Sequence, residues 1–146
     1  MPRASLLVES PDAITDLIGR IGRIAVLGIK TSAAAGQPAY EVPAFLQQRG
    51  YTILPVPVYY PDATEILGAP VHRAVADVPG PIDCVLVFRR SSDVAAHLPD
   101  LLAARPMAVW MQLGIRDAAT AEALADAGIA VVQDHCLKLE LLARNR

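Results

Sequence analysis

The chain has 146 residues, enough for one domain with a sizeable core. Hydrophobic residues make up 53% and charged residues 19%, a balance that suits a sheet covered on both faces. The formal net charge of −2 gives no basis for nucleic acid or an anionic membrane as a bulk partner, so any anion site must be local.

In chain order, Ser10-Pro11-Asp12 reads as a helix start, with a capping hydroxyl, a proline at the first helical position and an acid in the first turn. Ile14, Leu17, Ile18 and Ile21 then give one apolar face, predicting a helix over residues 11–21 that packs against the sheet. Residues 1–22 form a lead-in segment and helix; residues 23–146 form the main domain. The apolar run Ile24 to Ile29 predicts the first buried strand. Gly28 lets the chain turn there and leaves room for a ligand to approach the backbone. A small-residue loop through Lys30, Thr31 and Ser32 leads to Pro38, which opens a helix ending at Gly50. Pro43 lies within its first two turns, where its missing N–H costs little.

Tyr51 to Pro57 predicts a second strand, which leaves the sheet in the segment Val58-Tyr59-Tyr60-Pro61. Glu65 to Pro70 reads as a short turn of helix. Asp83 to Phe88 is a third buried strand, running into Arg89-Arg90-Ser91-Ser92 and a helix to about Arg105 with a break near His97, ahead of Pro99. Met107 to Gln112 is a fourth strand, turning at Leu113-Gly114-Ile115. Asp117 caps the next helix, Gly128 closes it, Ile129 to Val132 is a fifth strand, and a last helix starts near Asp134 or His135. Strands alternate with helices and no hairpin signal is read. The expected fold is therefore α/β: a single Rossmann-like, doubly wound parallel sheet of about five strands.

Cys84 and Cys136 lie far apart and outside CxxC spacing, which argues against a disulfide framework or zinc knuckle and for reduced thiols. The apolar run from Met1 to Val8 is too short for a signal-peptide core, and no stretch is long enough to span a membrane. A soluble, cytoplasmic protein without a membrane partner is expected.

Ligands of such sheets bind beyond the carboxyl ends of the strands. The first loop lacks GxGxxG, and Pro57-Val58 stand where an acid would hold the ribose hydroxyls of NAD. Lys30, Arg89 and Arg90 suit phosphates instead, with Ser91 and Ser92 adding donors. Each cation also reads as an ordinary solvated loop residue. Tyr59 and Tyr60 either flank an adenine or pack their loop onto the body. Gln112 and Gly114 offer an amide and a close-approach backbone, or form a plain strand-to-helix turn. Cys136 is a helix-start thiol or a small, partly buried residue. His72, His97 and His135 have no metal spacing, and no catalytic constellation is found.

Val26-Leu27-Gly28, Val87-Phe88-Arg89-Arg90-Ser91, Val109-Trp110-Met111-Gln112-Leu113-Gly114-Ile115 and Val132-Gln133-Asp134-His135-Cys136 resemble the small bacterial CoA-binding domain proteins, similar to the CoA-binding domain of the succinyl-CoA synthetase α subunit. The resemblance implies that coenzyme A, or an acyl-CoA, binds through its ADP part. By position it implies Gly28 and the loop through Ile29, Lys30, Thr31 and Ser32 for the phosphate loop, and Pro57 and Tyr59 beside the adenosine; read from the residues, Pro38 adds a helix start whose free N–H groups attract anions. The resemblance further implies Phe88, Arg89, Arg90 and Ser91, then Gln112, Gly114 and Ile115, for the next two turns, and Cys136 near the end. His135 stands where the family's motif has arginine. The synthetase's histidine-bearing catalytic domain has no counterpart in these residues, so binding without evident catalysis is the expectation. The alternatives are an NADP-dependent enzyme and a protein-interaction scaffold that binds no nucleotide.

Overall fold

The structure is a computed structural model that describes residues 3–146; Met1 and Pro2, part of the N-terminal apolar run read above, lie outside the described residues. After a helical turn at Arg3–Leu6, the elements are α1 Pro11–Ile18, β1 Arg23–Leu27, α2 Pro38–Gln48, β2 Thr52–Val56 and β3 Cys84–Val87. Then come α3 Ser91–Val94, a 3₁₀ turn at Ala95–His97, α4 Leu98–Ala104, β4 Ala108–Met111, α5 Ala118–Asp126, β5 Ala130–Val132 and α6 Leu137–Ala143. The strands form one five-stranded sheet in the order β2-β1-β3-β4-β5, and every neighbouring pair is parallel. Leu7 adds a parallel bridge to Val131 on the outer side of β5.

Alternation along the strands divides the core in two. Ile24, Val26, Leu86 and Trp110 face α1, α2 and α6 through Ile14, Leu17, Leu46 and Leu141. Ala25, Leu27, Val85, Val87 and Met111 face α3, α4 and α5 through Val94, Leu101 and Leu124. Residues of β3 and β4 are buried throughout, as strands covered by helices on both faces must be. The Rossmann-like expectation holds. Among the described residues, no helix is long and apolar enough to cross a membrane.

Local chemistry sets the boundaries. Ser10 Oγ accepts the Ala13 N–H at 3.2 Å, but α1 stops at Ile18, short of residue 21, with Gly19 as its cap. The helix expected through to Arg105 divides at Ala95–His97, and Arg105 closes α4 with a φ of 51°. Two expectations are corrected. Residues 65–70 are no helical turn but an antiparallel ribbon pairing Glu65 with Pro70 and Ile66 with Ala69. Leu67 and Gly68, with φ of 53° and 75°, supply the two positive-φ positions that such a tight hairpin needs. The last helix starts at Leu137, because Asp134 has a φ of 62° and cannot be helical; Cys136 is the capping residue.

Candidate functional site

β2 lies on one side of β1 and β4 on the far side of β3, so the turns after β1 and β3 lead away from each other. At this switch point the sheet leaves a crevice beyond its carboxyl edge. A cleft of about 750 Å³ lies there, a size suited to a small organic ligand.

Gly28 brings the two turns together. Its φ is +86°, and a Cβ added to it would sit 2.3 Å from the Phe88 carbonyl oxygen. The side a Cβ would take is thus filled by the protein's own backbone, so the glycine serves turn-to-turn contact while also lining the cleft. Gly28 donates to the Val56 carbonyl at 2.9 Å and Phe88 to the Leu27 carbonyl at 2.9 Å, which continues the ladder into both turns. Ile29 is buried. Lys30 is tied to the start of α2 twice: its backbone N–H donates to the Ala39 carbonyl at 3.1 Å, and its Nζ donates to Gln37 Oε1 at 2.6 Å.

Arg89 and Arg90 share one carboxylate. Asp93 Oδ2 lies 3.7 Å from the Arg89 guanidinium and 3.0 Å from Arg90 Nε. Arg89 Nε donates to His97 Nε2 at 3.2 Å, so His97 is neutral here with its proton on Nδ1. Burial, and then the Arg89 charge, lower the His97 pKa, with Asp100 and Asp93 opposing. The Arg89 side chain is 20% exposed and the Arg90 side chain 84%: one is half-sunk against His97, the other stands in solvent on its bond to Asp93.

The third wall comes from the turns after β4 and β5. Gln112 is buried, and its Oε1 accepts the Leu137 N–H at 3.0 Å, which fixes the start of α6. Gly114, φ +85°, donates to Asp134 Oδ1 at 2.6 Å. That bond, and then the Arg116 charge, hold the Asp134 carboxyl below the usual carboxylate range. The Ser91 hydroxyl accepts the Arg116 N–H at 3.0 Å and lies 3.5 Å from the Gly114 carbonyl, joining the β3 and β4 turns. Trp110 Nε1 donates to the His135 carbonyl at 2.8 Å, and His135 Nδ1 lies 3.6 Å from Glu140.

The cleft brings together Gly28, Ile29, Lys30, Pro38, Tyr59, Phe88, Arg89, Arg90, Ser91, Gln112, Gly114, Ile115 and Cys136. Thr31 and Ser32 instead border a separate cavity of about 200 Å³ with Tyr40 and Glu65. Pro57 is buried behind the rim. Val58 and Leu113, inside the strand-end segments, also line the cleft, as do Gln37 and Ala39, which lie outside those segments. The signal for these last two was available only as adjacency: each flanks an expected residue. Tyr59 is 68% exposed, and the Arg73 guanidinium holds its loop by donating to the Tyr59, Tyr60, Pro61 and Ala63 carbonyls. The arrangement offers cations for phosphates, and apolar surface from Ile29, Val58, Phe88, Leu113 and Ile115 for a base or an alkyl arm.

A family model described as "CoA binding domain" matches residues 22–141. The protein YneT of Bacillus subtilis (strain 168) is 31% identical over 126 residues, covering 86% of this chain and 90% of YneT. Among solved structures, cell-free ID.343 from Thermus thermophilus is similar with a TM-score of 0.83 and 36% identity, over 92% of this chain and 98% of that one. A hypothetical protein from Pyrococcus horikoshii OT3, at 22% identity and a TM-score of 0.83 over 92% of both chains, shares the fold. With the match running from just before β1 into α6, the chain belongs to the CoA-binding domain family.

Proposed function

We propose that this protein binds coenzyme A, or an acyl-CoA, by its ADP part in the cleft beyond the carboxyl ends of β1, β3 and β4. The observation that carries this reading is the convergence of Lys30, Arg89 and Arg90 on one apolar-walled cleft at the switch point. CoA has a diphosphate and a ribose phosphate, and charge-assisted bonds worth ~1.5–3 kcal/mol each support affinity in the micromolar range. The β2 end carries Val58 and Tyr59 rather than an acid, which favours a phosphorylated ribose over the free diol of NAD. In this reading the phosphates lie along the Lys30 and Arg89 side of the cleft. The Tyr59 ring flanks the base, and the pantetheine arm runs along Leu113 toward Cys136.

Calorimetry and thermal shift with CoA, acetyl-CoA, NADP and NAD test the reading. Stabilisation by CoA with little response to NAD is expected. No response to millimolar CoA overturns it, and a response to NADP alone moves the assignment to an NADP site.

A further inference from the structure

The proline inside α2 has a partner outside it. Pro43 has no N–H, so the carbonyl four residues earlier, that of Ala39, receives no helical bond from position 43. The proline ring also crowds that carbonyl. The Ala39 carbonyl accepts instead the backbone N–H of Lys30, at 3.1 Å, from the turn after β1. On either side of that bond, Ile29 is buried and the Lys30 ammonium donates to Gln37.

We infer that Pro43 is a positioning residue for the ligand cleft: it frees the Ala39 carbonyl so that the carbonyl can hold the Lys30 turn against the first turn of α2. Pro43 itself does not line the cleft, whereas Lys30 and Ala39 do. In a helix without this proline the N–H of position 43 competes with the Lys30 N–H for the Ala39 carbonyl and draws it back toward the helix ladder. What counts as a flaw in the helix is the socket for the turn. The inference rests on the reading of the cleft as a CoA site for its effect on affinity, but not for its effect on the turn.

The test compares the full chain with its Pro43→Ala variant by amide hydrogen exchange at Lys30, thermal denaturation and CoA calorimetry. The expected result is faster exchange at Lys30, by about threefold to tenfold for one weakened hydrogen bond. CoA affinity falls by a similar factor, while the melting temperature holds or rises because alanine suits a helix better than proline. A merely structural proline would move stability and leave the Lys30 amide alone. Unchanged Lys30 exchange overturns the inference, as does unchanged affinity in a chain that binds CoA. If the unsubstituted chain binds no CoA, the site reading fails and the Lys30 exchange still decides the role of Pro43. Should Pro43→Ala not fold, a through-bond NMR coupling between the Lys30 nitrogen and the Ala39 carbonyl carbon in the unsubstituted protein decides it, and its absence overturns the inference.

Discussion

The two ends of the sheet carry the same kinds of charged residue and use them in opposite ways. At the amino end, Asp83 accepts the backbone N–H groups of Gly22 and Arg23 at 2.9 and 2.7 Å. Arg23 in turn donates to the Pro81 and Pro79 carbonyls, at 2.7 Å each. Arg49 sits over the Phe45 ring at 4.5 Å and donates to the Arg146 carbonyl. At the carboxyl end, Lys30, Arg89 and Arg90 bond side chains instead: Gln37, His97 and Asp93. Backbone partners cannot turn away without unmaking the fold. Side-chain partners can rotate and give up a cation to a ligand, so these three cations at the carboxyl end can exchange their bonds, whereas Arg23 at the amino end, and Arg73 and Asp134 beside the cleft, bond backbone and cannot.

The largest effect is expected where the carboxyl end is itself fixed by backbone. Gly28→Ala would put a Cβ 2.3 Å from the Phe88 oxygen at a φ of +86°, and the atom it meets is backbone, which cannot swing aside as a side chain can. The expected loss is about 3 kcal/mol or more in urea denaturation. Gly114 has nearly the same φ, but no described atom lies within 4 Å of its added Cβ. Gly114→Ala should therefore lose only about 1–2 kcal/mol, the left-handed penalty alone. Equal losses would mean that the close approach of the two turns does not matter.

The next pair of changes sets the ends against each other. Asp83→Ala removes a charged acceptor from two backbone donors and should lower stability by about 2 kcal/mol, with CoA affinity unchanged by calorimetry. Arg89→Ala should do the reverse: affinity falls about tenfold, the worth of one charge-assisted bond, while stability shifts by under ~1 kcal/mol. Arg90→Ala should weaken binding less, by about twofold to fivefold, because its side chain is 84% exposed. A folded Asp83→Ala protein that no longer binds would break the contrast between the ends.

The same contrast explains what could be read in advance. The buried strands were legible because unbroken apolar runs such as Val85-Leu86-Val87 and Val109-Trp110-Met111 have few other uses in a helix-covered sheet. Turn positions were legible as places, since strand ends must meet at one edge, but not as roles. Gln112 and Ser91 carry ligand-type groups, yet the first caps α6 and the second bridges the β3 and β4 turns. Nothing in residue type separates these uses, because each depends on partners more than 20 positions away. The 65–70 hairpin was hidden because Leu67 occupies a positive-φ position where Asn, Asp or Gly gives the usual signal.

The smallest expected effect tests whether Arg89 is held as described. His97 accepts from Arg89 only while neutral, and burial followed by the Arg89 charge lowers its pKa below the ordinary value. As pH falls, the unfolded chain therefore takes up a proton on this histidine near pH ~6.5, before the folded chain does. The stability His97 contributes is fully present above that value and is lost as pH falls through the lower, folded value. Thermal denaturation from about pH 8 to about pH 5 should show a steeper decline in the unsubstituted protein than in His97→Gln. The glutamine oxygen can still accept from Arg89 but does not titrate. Parallel declines would detach His97 from the pH response, and a large loss of CoA affinity in His97→Gln at neutral pH would show that an amide cannot hold Arg89 as the imidazole does.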